Sequence, residues 1–152
     1  MLLWRISNHA DLTGQGGLRA SARWHTAGRK IVYLGLNPAI CLLEHLVHLE
    51  IALEDIPASF RTLKIEVPEV IFAAAQWVGE MADDWRNDIS ATRAIGDHWL
   101  VHGPCLLHVP CALVPETCNV LLDSAHPDAA RIVILAVIDF PFDKRLISAR
   151  TG

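Results

Sequence analysis

"GRKIVYLGLNPAICLLEHLVHLE", residues 28–50, is the stretch on which the fold turns. Its first half, Lys30–Leu36, is apolar and rich in β-branched residues, which predicts a buried strand. Asn37 and Pro38 then open a helix. Asparagine caps the first free amides, and proline at the first helical position loses no donor the helix needs. Ile40, Leu43, Leu46, Val47 and Ile51 follow the helical period. At about 100° per residue, Cys41, Glu44, His45 and His48 cluster on one side, opposite Leu42, Leu43 and Leu46. Glu44 lies at the seam with the apolar sector, where partial loss of water suits a carboxylate to catalysis. The plainer reading is an exposed Glu44–His48 pair worth a few tenths of a kcal/mol.

Outward from this stretch the chain reads as short alternating elements. Residues 2–6, "LLWRI", suggest a first strand, followed by a glycine-rich turn, "TGQGGLRASARW". Residues 62–68, "TLKIEVP", set Leu63, Ile65 and Val67 against polar neighbours, as in a half-buried strand. Pro68 ends that strand, and "PEVIFAAAQWVGEMADDW" reads as helical. A further helix is expected over about 88–101, carrying "ISATRAIGDHWL". "CLLHVPCALV", residues 105–114, reads as a strand that Pro110 must bulge or end, and "RIVILAVIDF", residues 131–140, as a last apolar strand. About five strands and three helices that do not strictly alternate predict an α+β fold, and the absence of a repeat or linker predicts one domain over residues 1–152.

A chain of 152 residues buries roughly two thirds of its unfolded surface, enough for a core without covalent staples. Hydrophobic residues make up 52% and charged residues 20%, a globular and not a disordered balance. The longest apolar run, "IVILAV" at 132–137, is far short of the roughly 18–20 residues of a membrane span. "MLLWRIS" is too short for a signal peptide and is interrupted by Arg5, so a cytoplasmic protein is expected. A net charge of −4, without a Lys/Arg stripe, argues against nucleic acid as the main partner. Cys41, Cys105, Cys111 and Cys118 form no C-x-x-C pair, and reduced, packed thiols are expected.

The chemistry left open by "EHLVH" has two forms. A metal-dependent hydrolase would use Glu44, His45 and His48, yet the histidines stand at i, i+3 with the glutamate before both. Neither H-E-x-x-H nor its inverse is present, and carboxylate-bridged sites need Glu-x-x-His twice, so no metal is expected. "VPCALVPETCN" could carry a thiol nucleophile with a histidine supplied from elsewhere. "GQGG", residues 14–17, is not a dinucleotide fingerprint, and there is no P-loop and no G-x-S-x-G elbow.

The ordered set of motifs is more specific than any one of them. "LLWRIS", "SARWHTAG", "KIVYLGLNPAICLLEHLVH", "HVPCALVPETCNVLLDSAHPD" and a closing "DFPFDKRL" follow one another along nearly the whole chain. In this the chain resembles the RES-domain family of bacterial toxins, those encoded beside an Xre-type helix-turn-helix antitoxin. The family pattern runs from a "WR" strand through "GRWN", "VVY" and "LE.L.H" to "VPS" and "N.L.NP.HP". Here "GRWN" becomes "ARWH", with Ala22 and His25, "NP.HP" becomes "DSAHP", and Cys111 stands at the family's serine.

The resemblance implies a compact ADP-ribosyltransferase-like domain, with short twisted sheets flanked by helices, that takes NAD as substrate. It implies cleavage of the nicotinamide–ribose bond by hydrolysis or phosphorolysis, or ADP-ribosyl transfer to a host protein. Carried over position by position, the family arginine falls on Arg23, the tyrosine on Tyr33, the glutamate on Glu44, the serine on Cys111 and the following asparagine on Asn119. Arg5 is an auxiliary candidate for binding NAD. The expected partner is an Xre-type antitoxin, with a homodimer inside the complex. A thiol is a weaker donor than a hydroxyl, so Cys111 implies an enzyme slower by about one to two orders of magnitude, or a paralogue acting through antitoxin binding alone.

Overall fold

The computed structural model describes residues 1–48, 59–143 and 145–148. In chain order these form β1 (Leu2–Ile6), α1 (Gln15–Arg19), β2 (Ile31–Gly35), α2 (Pro38–His48), β3 (Ser59–Glu66), α3 (Glu69–Ala73) and β4 (Gln76–Trp77). There follow α4 (Ile89–His102), β5 (Leu106–Pro110), β6 (Cys118–Asp123), a 3-10 turn at Pro127–Arg131, β7 (Val133–Pro141) and α5 (Arg145–Ser148). The seven strands join one sheet in the order β4-β5-β6-β2-β1-β3-β7. All neighbours are antiparallel except the short β4–β5 pair. The expected α+β class is what the chain adopts.

Strand alternation divides the core between the two faces of this sheet. Val32 and Leu34 of β2 pack with Leu3, Leu63, Ile65, Leu106, Val120 and Leu122 on one face. Ile31 packs with Leu107, Val109, Leu121 and the rings of Trp24, Trp85 and Trp99 on the other. β2 therefore sits between two apolar layers, which is why it reads as a near-continuous apolar run.

Helix α2 begins as its sequence requires, with the Asn37 side chain accepting the Ile40 amide at 3.0 Å. Its facing is the reverse of a simple amphipathic helix. Of its apolar side chains only Ile40 is buried, while Leu43 and Val47 are 44% and 51% exposed. The side carrying Cys41, Glu44 and His45 turns toward the sheet: the Cys41 thiol donates to the Trp4 carbonyl at 3.2 Å, and His45 meets Phe60 edge-on. Gly35 makes this approach possible, since a Cβ there would stand 2.6 Å from the Cys41 sulfur. Ile51, expected to extend the apolar face, lies outside the described residues.

Three expectations need correction. The long helix of residues 68–85 stops at Ala73, because Gln76 and Trp77 pair with β5 and the Trp77 ring stacks on His108 at 4.2 Å. The strand read over residues 105–114 ends at Pro110, one of the two outcomes expected there, because proline has no amide to continue the ladder. The chain turns through 111–117 and returns as β6, a strand the sequence reading missed. The glycine-rich turn holds the short helix α1.

Helix α4 matches its expected span, capped by the Asp88 side chain accepting from the Ala91 amide at 2.9 Å. It rides on the segment before β2 at one tight point: a Cβ on Gly96 would stand 1.7 Å from the Trp24 carbonyl oxygen. Backbone on one side and helix on the other leave no flexible atom to move. Gly96→Ala is expected to destabilise the fold by about 2–4 kcal/mol, read from chemical denaturation, because overpacking against main chain forces a backbone shift. Gly16→Ala, with nothing within 4 Å of its added methyl, is the matched control and should leave the midpoint nearly unmoved.

Candidate active site

A cleft of about 540 Å³ opens on the sheet face that carries Tyr33 and Gly35, between α2 and the turn at residues 22–25. Pairing of Gly35 with Asn119 brings the Asn119 side of β6 to the same face. Arg5, Arg23, Tyr33, Glu44 and Asn119 all line this cleft. Cys111 sits just beneath it, 1% exposed, between the lining residues Pro110 and Ala112.

Glu44 is the convergence point. Its Oε1 accepts the Asn119 amide at 2.8 Å and the Cys111 thiol at 3.3 Å. Among the described residues its Oε2 takes no protein hydrogen bond. The Cys111 sulfur in turn accepts the Val114 amide at 3.4 Å, so the 111–117 turn holds the thiol where it can donate. One carboxylate oxygen is thus fixed by two donors on a side chain that lines the cleft. The Cys41 thiol, beside Gly35, is pushed up to about 12, first by burial and then by the nearby Glu44 charge.

Arg23 occupies a corner of a tight turn closed by an antiparallel bridge between Ala22 and His25, with the Ala22 amide donating to the His25 carbonyl at 3.1 Å. Helix α4 grips this turn from outside. The Thr92 hydroxyl donates to the Arg23 carbonyl at 2.7 Å, and Arg93 Nε donates to the Ala22 carbonyl at 2.8 Å. Asp97 accepts both the amide and the hydroxyl of Thr26, at 2.9 and 2.6 Å. The Arg23 guanidinium lies 5.8 Å from the Trp85 ring centre and donates to the Arg86 carbonyl at 2.8 Å. A planar cation so placed keeps further donors for an anionic or hydroxylated ligand.

Tyr33 closes the turn from inside. Its hydroxyl accepts the Trp24 amide at 3.1 Å and lies 2.9 Å from His25 Nδ1. Burial raises the phenol above its ordinary value, so it stays protonated. The hydroxyl is spent on the turn, and what Tyr33 offers the cleft is its ring. Arg5 is half-buried, which lowers its guanidinium below the usual value, and it donates to the Asp11 carbonyl at 3.1 Å. His45 and His48 border the cleft beside Glu44. Burial and then the neighbouring His48 lower His45. Among the described residues no three His, Cys, Asp or Glu side chains group as metal ligands do.

Residues the sequence did not mark are those that shape the turn. Thr92, Arg93 and Asp97 lie in a helix whose pattern carries no motif. His25 was visible only as a departure from "GRWN".

Comparison with known proteins places these features in company. A model of the RES domain matches residues 2–143. The chain is 44% identical over 147 residues to the Toxin Res of Pseudomonas putida, covering 96% of this chain and 99% of that protein. It is 33% identical over 155 residues to the Prs ADP-ribosylating toxin of Sphingobium sp. (strain YBL2), covering 95% of each. The crystal structure of the M. tuberculosis MbcT–MbcA toxin–antitoxin complex contains a similar fold, at a TM-score of 0.64 and 21% identity over 92% of this chain and 84% of that one.

The thiol-nucleophile reading meets resistance in the geometry. Burial pushes Cys105 up to about 12 and raises Cys118, and Cys111 is enclosed. Native protein treated with an aromatic disulfide reagent at pH 7.5 should show no fast-reacting thiol, and all four cysteines should react after unfolding. A single thiol reacting in a rapid burst would restore the nucleophile reading.

Proposed function

The chain belongs to the RES domain family, and we propose that it is the toxin of a toxin–antitoxin pair, an enzyme that cleaves NAD at the nicotinamide–ribose bond. The observation that carries this reading is Glu44, which lines the cleft and is held at one oxygen by Asn119 and Cys111. Nicotinamide bound to ribose is already cationic, so it can depart without a general acid. The task left to the protein is to stabilise the oxocarbenium-like centre and deliver an acceptor, as a carboxylate does in glycoside hydrolysis. Glu44 Oε2 would meet the ribose and orient water or phosphate. Arg23 would bind the pyrophosphate or a ribose hydroxyl through its fork of donors, with Arg5 assisting. The Tyr33 ring would stack on nicotinamide. Asn119 and Cys111 keep the carboxylate in place.

A second reading is ADP-ribosyl transfer to a host protein, favoured by the ADP-ribosylating relative from Sphingobium. The same oxocarbenium-like centre serves both, and the acceptor alone differs. The proposed partner is an antitoxin, as in the MbcT–MbcA complex, of the Xre helix-turn-helix type, with two copies of this chain in the assembly.

The test is NAD consumption by the purified, antitoxin-free chain, with and without phosphate, and with candidate host proteins present. Arg23→Ala and Glu44→Gln should each lower the rate at least about 100-fold, as loss of transition-state contacts worth 2.7 kcal/mol or more requires. Asn119→Ala should cost about ten- to 100-fold, and Cys111→Ser should gain up to about tenfold through its stronger donor. Free ADP-ribose, ribosyl phosphate linkage or labelled protein names the acceptor. No NAD loss from folded wild type and folded Cys111→Ser alike would sink the proposal.

A further inference from the structure

We propose that His25 is a positioning residue of the cleft, and that only its neutral form protonated on Nε2 ties the arginine-bearing turn to Tyr33, so that one proton on this imidazole loosens Arg23. The inference deepens the NAD reading, on which its activity arm rests.

Two distances fix the hydrogen positions. His25 Nε2 stands 3.0 Å from the Ala20 carbonyl, which can only accept, so Nε2 carries the proton. In a neutral imidazole Nδ1 is then a bare acceptor, and the Tyr33 hydroxyl at 2.9 Å donates to it. The same oxygen accepts the Trp24 amide at 3.1 Å. An unbroken chain therefore runs from the Trp24 amide through the Tyr33 hydroxyl to His25 and on to Ala20. Both ends are in the segment that holds Arg23, and the middle is anchored in β2. The imidazole is 3% exposed, so no solvent replaces a lost partner.

A second proton on Nδ1 turns that acceptor into a donor. Two donors then face the Tyr33 oxygen and the phenolic proton loses its partner, which is costly in a buried network. The charged and titratable groups around His25 are few. Tyr33 faces it from β2, and Asp97 and Arg93 act on it from α4, with Arg29 beside Asp97. From α1 comes only the backbone of Gly17. Asp97 favours the imidazolium and Arg93 opposes it, but Asp97 is already engaged by Thr26. Burial is the largest influence and holds His25 below the ordinary histidine value. A histidine lowered in the folded state is neutral there while the unfolded chain still takes up a proton. Its contribution is thus complete above about pH 6.5 and is lost as pH falls toward the lowered value.

The test pairs nitrogen-15 NMR with kinetics on the full chain. At pH 7.5 the His25 ring should show the Nε2-protonated tautomer. On acidification the Arg23 and Trp24 backbone amides should shift with the His25 ring at one midpoint below 6.5. His25→Asn cannot titrate and is too short to reach Tyr33 and Ala20 together. It should turn over NAD at pH 7.5 about two- to tenfold more slowly than wild type, with the shared midpoint gone and no fall in kcat at that pH. An Nδ1-protonated tautomer, amides indifferent to the His25 titration, or an unchanged acid limb in His25→Asn would each overturn the proposal. Wild type without NAD turnover would defeat the NAD reading, while the NMR arm would still decide the role of His25.

Discussion

The amide that Asn119 extends to Glu44 spans 75 residues of sequence and ties α2 to β6 within the cleft. A part-buried carboxylate gains from donors, and α2 alone supplies none for this one. The donors stand on β6 and on the turn after β5, so α2 packs with its polar side inward. Leu43 and Val47 are left facing outward as a result. Burial of two aliphatic side chains, worth about 1.5–3 kcal/mol each, is forgone for a fixed carboxylate.

The opposite wall obeys a different constraint. Arg23 sits on a turn too short to hold itself, and contacts from α4 and the sheet hold it. Thr92 and Arg93 draw the Ala22 and Arg23 carbonyls toward α4. Gly96 lets the helix lie against Trp24. Tyr33 and His25 complete the enclosure from the sheet. Glu44 is thus positioned from β6 and Arg23 from α4, two supports with no shared side chain.

Much of this was legible in the sequence, for particular reasons. β2 and the start of α2 announced themselves through β-branched residues, an Asn cap and a Pro at the first helical position. The ordered motifs located Glu44, Cys111 and Asn119, which the fold brings into contact, and Arg23 and Tyr33, which it brings to the same cleft. What failed did so where distant contacts overrule local preference. "AAAQWV" reads as helix until Trp77 finds His108 across the sheet. β6 hid behind two prolines, because a hairpin's return strand is recognised by its partner and not by its own six residues. Periodicity named the inward face of α2 wrongly, since it counts apolar side chains and cannot see what waits on the sheet. The α4 residues that hold the turn were invisible because a hydroxyl bonded to a carbonyl 69 residues away leaves no pattern nearby.

Sheet order and chain order disagree in a way that bears on synthesis. β1 and β2 are made first and lie at the centre, yet β2 must wait for β6 and β3 for β7. A ribosome that has delivered the first 110 residues has delivered Arg23, Tyr33 and Glu44, but neither donor to that carboxylate. Closing such distant pairings comes late in folding. The nascent chain therefore carries Arg23, Tyr33 and Glu44 unassembled through most of translation, and the topology leaves the cleft incomplete until β6 has emerged.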